Sequence, residues 1–197
     1  LLETCMYFPF TTAKNLAGFG PDHSRLMSRM DLLQMILVLA IDEAIVQNRI
    51  DVDGKGDPVI DYRLTDQTMD SLYESMKVCA KIFFAAGAQA VHAPASRKFL
   101  IDRSEADRLD EFVRRDELKT GKVSITAAHL MGGCRVGNQA SDSVTNSWGQ
   151  VHGAPWLYVA DASLFPKAAE INPYITIMAM ADRVAEGIRR QAAALLS

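Results

Sequence analysis

The chain has 197 residues, 49% of them hydrophobic and 23% charged, with a formal net charge of −3. That length holds one domain, or one domain and part of another, and the composition excludes a disordered chain and gives no general case for nucleic-acid binding. The longest apolar run, residues 35–41, is far short of the roughly 20 residues a membrane-spanning helix needs.

Taken in chain order, residues 1–34 are mixed, with Gly18, Gly20 and Pro21 marking a loop. Residues 35–42 (MILVLAID) are branched and apolar and predict a buried strand. Residues 49–52 predict a second strand, the glycines of Asp53-Gly54-Lys55-Gly56 a tight turn, and residues 58–63 a returning third strand. The expected product is an antiparallel hairpin or meander. Thr65 or Asp66 can cap the next helix, whose apolar face recurs at Met69, Leu72, Met76, Cys79, Ala80 and Phe83 before Gly87 ends it. A short strand is expected over 89–92, a charged helix over 104–118, and a strand over 122–128 running straight into His129. After irregular chain to about Ala154, residues 156–160 (WLYVA) predict a strand. The last helix is expected from Asn172 to about Leu195, with Asn as N-cap and Pro at the first helical position. Its buried stripe reads as Ile175, Met178, Ala181, Ala185 and Ile188. This order predicts an α+β fold, with a mainly antiparallel sheet covered by helices on one side.

Cys5, Cys79 and Cys134 are odd in number and widely spaced. They form neither a disulfide framework nor a zinc pattern, so no metal is expected, and they favour a reducing compartment. The opening LLETCMYFPF has no initiator Met and no targeting signature, so the chain reads as beginning in mid-protein. The expected location is the cytoplasm or a membrane periphery.

Three positions can carry chemistry. His129 precedes Gly132 and Gly133, where a backbone can approach a ligand closely, and an imidazole exchanges protons near neutral pH. It reads equally as a histidine hydrogen-bonded at a strand end. Asn172 can donate to a substrate oxygen or simply cap its helix, and an amide can do both. The backbone N–H groups of Tyr174, Ile175 and Thr176 favour an anion at that helix start. Asp161 ends the WLYVA strand and can accept from a ribose-type hydroxyl or close a turn. His23, His92 and His152 read as surface or turn residues. A Cys134–His129 nucleophile pair lacks an orienting third group in the sequence. No Gly-x-Gly-x-x-Gly fingerprint or phosphate-binding loop is present.

The segments HLMGGCRVG (129–137), LYVADASLFP (157–166) and NPYITIMA (172–179) together closely resemble the C-terminal signature of the glucose–methanol–choline (GMC) oxidoreductases, FAD-dependent alcohol oxidases and dehydrogenases. Residues 35–120 look more loosely like the long-chain alcohol oxidase or sterol oxidase-like branch. The resemblance implies FAD as cofactor, His129 as the active-site base and Asn172 as its partner. It implies that the turn Asp161-Ala162-Ser163 contacts the ribityl and pyrophosphate region, that Asn172 and Pro173 also bind the cofactor, and that backbone groups near Tyr174 and Ile175 face the ring. It further implies a substrate-domain portion over 1–122 and a C-terminal strand–helix return, 123–197, to an incomplete FAD-binding domain. The expected partners are a hydrophobic alcohol and the N-terminal FAD-binding region that this chain lacks. The alternative is a non-catalytic truncated or split-gene module with a structural or interaction role. Glu170-Ile171 stand where the family usually has a small residue or glycine before the Asn-Pro, and Lys167 where small polar residues are common.

Overall fold

The computed structural model describes residues 1–4, 8–16, 18–119 and 121–196, with side chains as far as residue 192; Cys5 lies outside the described residues. The chain divides into two compact units. One comprises residues 1–40 and 64–126, the other residues 41–63 and 127–197.

The first unit is built on α3 (Asp66–Ala85), which follows β1 (Leu2–Thr4), α1 (Pro9–Asn15), α2 (Pro21–Met27) and β2 (Ile36–Val38). The expected start and stop of α3 are both observed. The Thr65 hydroxyl accepts from the Thr68 N–H at 3.2 Å, satisfying one donor the helix cannot use. At the other end Gly87 takes φ +98°, a conformation that costs other residues more, and its N–H reaches the Phe84 carbonyl. Of the expected face of α3, Cys79 and Ala80 are buried and Met69, Leu72, Met76 and Phe83 partly so, while Phe84, outside the expected repeat, is buried as well. Ala80 and Phe84 pack with Val91, Ala93, Ile101, Leu109 and Val113, each large side chain contributing roughly 1.5–3 kcal/mol on burial. β5 (Ala90–Val91) and β6 (Ile101–Asp102) pair antiparallel beneath them.

The charged segment after β6 is not one helix. A 3-10 turn over Arg103–Arg108 runs into the single turn α4 (Leu109–Phe112), and a second 3-10 turn follows at Arg115–Glu117. The backbone explains the break. The Phe112 carbonyl accepts from Arg97 and the Arg114 N–H donates to Ala95, so these groups serve a bridge to residues 95–97 that a continuing helix would forbid. The strand expected over 122–128 is absent. Lys122 and Val123 close a turn onto the Lys119 carbonyl, and the rest is irregular and mostly exposed. β-branched residues favour a strand only where a partner strand is available to pair with.

In the second unit, β3 (Arg49–Val52) and β4 (Pro58–Asp61) form the expected hairpin, with Ile50 opposite Ile60. β2 does not extend it into a meander, because it pairs with β1 instead. β7 (Gln150–Val151) pairs with β8 (Ala154–Tyr158) around Gly153, and α5 (Tyr174–Leu196) closes the chain. The fold is α+β. In place of one mainly antiparallel sheet, the strands among the described residues form four separate two-stranded antiparallel ladders. Among the described residues no helix is long and apolar enough to cross a membrane.

Candidate active site

All site residues expected from the sequence lie in the second unit. His129 sits in an exposed bend, two residues before Met131. From there the backbone is tied down on two sides. The Met131 sulfur accepts from the Ala169 N–H at 3.3 Å, three residues before Asn172. Cys134 and Val136 then donate to the carbonyls of Ser163 and Leu164 at 2.9 and 3.0 Å. Gly132 and Gly133 make this approach close. A Cβ on Gly132 would stand 3.5 Å from the Phe165 carbonyl oxygen, and one on Gly133 would lie 3.9 Å from the Ser163 Cβ. The first two signature segments, 129–137 and 157–166, are therefore joined to each other, and the first is also tied to Ala169, which lies between the second segment and the third.

Asp161 follows β8 and caps the short 3-10 turn Ala162–Leu164. Its Oδ1 accepts from the Ser163 N–H at 2.8 Å and from the Ser163 hydroxyl. The hydroxyl bond first, then the N–H bond, hold this carboxyl below the usual carboxylate range. Leu164 and Phe165 are buried and anchor the turn, while Asp161 faces solvent. Lys167 and Glu170 are also exposed.

The start of α5 differs by one residue from expectation. The Pro173 carbonyl accepts the first helical bond, from Ile177 at 2.8 Å, so Pro173 holds the cap position and Asn172 precedes it. Pro173 is buried and Asn172 exposed. The expected buried stripe of α5 is not the buried one. Ile175 and Met178 are 65% and 66% exposed, and Ile188 is 43% exposed. Val184 and Gly187 form the inner face instead. The reason is the loop before β8. Gly149 packs on Val184 and Trp148 on Gly187, so this loop determines which face of the helix turns inward.

That loop had no functional signal in the sequence. Thr145 is fully buried, its carbonyl accepts from Gly137 and its hydroxyl donates to the Cys134 carbonyl. The same stretch therefore holds both the segment after His129 and α5. The histidines expected at the surface are each half-buried and hydrogen-bonded: His23 to the Ala13 carbonyl, His92 to the Phe99 carbonyl, His152 to the Ser143 hydroxyl. Concavities lined by Lys81, Phe84 and Asp110, and by Tyr73 and Arg115, belong to the first unit and include no expected site residue. Among the described residues no three His, Cys, Asp or Glu side chains gather as a metal site.

Comparison with known proteins gives the family. The family model described as GMC oxidoreductase matches residues 46–181. A long-chain-alcohol oxidase of Arabidopsis thaliana is 33% identical over 127 residues, covering 62% of this chain and 18% of the relative. Paromamine 6'-oxidase of Streptomyces fradiae is 29% identical over 167 residues, 81% of this chain and 26% of the relative. 2-Methyl-1,2-propanediol dehydrogenase of Mycolicibacterium austroafricanum is 46% identical over 63 residues, 32% of this chain and 11% of the relative. The chain spans about a quarter or less of the length of these curated relatives. On the matched family model, which spans more than half of it, the chain belongs to the GMC oxidoreductases and carries their C-terminal region.

Proposed function

We propose that this chain is the C-terminal portion of an FAD-dependent enzyme that oxidises a primary, hydrophobic alcohol. The observation that carries the reading is that the segment after His129 is bonded to the turn beside Asp161, through Cys134–Ser163 and Val136–Leu164, and to Ala169, three residues before Asn172, through Met131. The residues fit the ring-and-ribityl end of FAD. Ser163 takes only Oδ1 of Asp161, and Oδ2 has no hydrogen-bond partner among the described residues, so it can accept from a ribityl hydroxyl. The first turn of α5 presents backbone N–H groups that suit the negative charge of a reduced ring. The ADP end needs a glycine-rich strand–helix turn, which this sequence lacks. The nucleotide-binding portion of the same protein supplies that end, and it covers the open apolar face of α5 at Ile175 and Met178. The long-chain-alcohol oxidase relative supports a hydrophobic substrate.

FAD, when bound, supplies the hydride acceptor. His129 accepts the substrate's hydroxyl proton on a neutral ring nitrogen, leaving electron density to push the hydride from carbon. The Asn172 amide N–H donates to the same oxygen and orients the C–H bond. A positioned base of this kind contributes about 10²- to 10⁴-fold in rate. The test uses the full-length protein. It is expected to carry flavin absorbance and to be bleached anaerobically by a primary alcohol. His129→Ala should slow bleaching at least about a hundredfold, and Asn172→Ala should slow it less, with flavin content unchanged in both. Unchanged bleaching in His129→Ala removes the histidine from the chemistry. A full-length protein without flavin removes the reading altogether.

A further inference from the structure

We propose that Trp148 is a positioning residue, setting the register of α5 along its axis and so the placement of Asn172 and the helix start relative to Asp161. This inference rests on the function proposed above. The indole ring lies along one face of α5. The Arg183 guanidinium stands 4.2 Å from the ring centroid and that of Arg190 5.1 Å from it. Gly187 lies between them in the helix, and a Cβ there would come within 3.0 Å of the ring. Residues 183, 187 and 190 share a helix face, so the ring fills a gap one residue wide. Sliding α5 by one residue, about 1.5 Å and a rotation of about 100°, would put a side chain where the ring now sits.

The ring is itself fixed to the strand side of the site. The Asn146 side chain accepts from the Trp148 and Gln150 N–H groups at 2.9 and 3.2 Å. Arg183 Nε donates to the Ser147 carbonyl at 2.7 Å. Val159 donates to the Gly149 carbonyl at 2.8 Å, two residues before Asp161. On the helix side, Tyr158 and Gln150 reach Gln191. A helix transmits an axial shift along its length, so a displacement at Gly187 moves the N-terminal turn. Asp161 stays with β8. The loop thus couples two groups assigned to adjoining parts of one ligand, Asp161 to its ribityl chain and the start of α5 to its ring.

The experiment uses the full-length, flavin-loaded enzyme in anaerobic single turnover with a primary alcohol. Gly187→Ala pushes the helix off the ring by tenths of an ångström. Its limiting rate of flavin reduction should fall about three- to tenfold, with the alcohol's apparent affinity retained and the visible flavin spectrum displaced. The narrower ring of Trp148→Phe in the same chain should recover most of that rate. A parent-like rate in Gly187→Ala, or a double variant no faster than the single, overturns the inference. If Gly187→Ala holds no flavin, Arg183→Gln decides: a slower rate at retained affinity supports the inference and a parent-like rate overturns it. A parent enzyme that holds no flavin, or that no alcohol reduces, overturns the proposed function and this inference with it. A parent reduced normally beside unresponsive variants overturns the inference alone.

Discussion

Around Ile101 the chain encloses a packed cluster: Ala80, Phe84, Val91, Leu109 and Val113 surround a side chain with no exposure. Around Thr145 the construction is different. There the segments are tied by backbone bonds, such as Cys134 to Ser163 and Gly137 to Thr145, and by glycines that allow close approach, while Trp156, Ile175 and Met178 stay in water. The first unit holds itself together by excluding water from side chains. The second buries fewer apolar side chains, Leu164, Phe165 and Val184 among them, and relies more on backbone bonds; apolar side chains stay exposed in both units, Phe10 and Phe19 in the first. That division is compatible with the proposed role, in which this region holds one part of a flavin and another stretch of protein supplies the rest.

The contrast can be broken by substitution. Ile101→Ala should produce the largest loss of stability, about 3–5 kcal/mol, because a fully enclosed site collapses poorly around a cavity. Denaturant midpoints measure it, and a loss below about 1 kcal/mol would mean that this core is loose. In the second unit the sensitive position is a backbone one. Gly149 has φ +72°, and a Cβ there would meet the Val159 carbonyl and the Val184 side chain. Gly149→Ala should cost about 2–4 kcal/mol through strain and overpacking, and a neutral result would dissolve the account of how α5 is seated. Met178→Lys sharpens the contrast further. If the face stays open in the full-length protein, stability should change by no more than about 0.5 kcal/mol. The proposed covering predicts a larger loss, together with release of flavin.

The smallest effect concerns His92. Burial holds its imidazole below the ordinary histidine range, and nearby His23 adds to this against the opposing bond to the Phe99 carbonyl. The folded state therefore binds its proton less readily than the unfolded chain does. Stability should decline as pH falls through the ordinary imidazole range and level off below the folded value. His92→Gln should lose that slope. Unfolding curves taken from neutral to mildly acidic pH show it, and an unchanged slope in the variant would assign the effect elsewhere.

Local signals made part of this architecture readable from the residues. The Thr65 cap, the Gly87 stop and the apolar repeat between them define α3, and the glycines between residues 53 and 57 define the β3–β4 turn. Features that depend on distant partners were not readable. Residues 122–128 have strand composition without a strand to pair with, and β2 chose β1 over the hairpin. The face of α5 was misread because its most apolar stripe faces outward. The inner face is set by Gly187 and Val184 against residues 148 and 149, and a glycine gives no hydrophobic signal. The signature segments were recognisable one by one. The tie between Met131 and Ala169 was not, because a thioether accepting a backbone N–H across 38 residues has no sequence pattern.

The central claim is that His129 takes the proton of the substrate. Its most direct test is anaerobic flavin reduction in the full-length protein, with the parent set beside His129→Ala in the presence and absence of free imidazole. The variant should be slowed at least about a hundredfold, and free imidazole should restore part of the rate by returning a proton acceptor to the vacated space. A variant as fast as the parent would contradict the claim, since another group would then be the base.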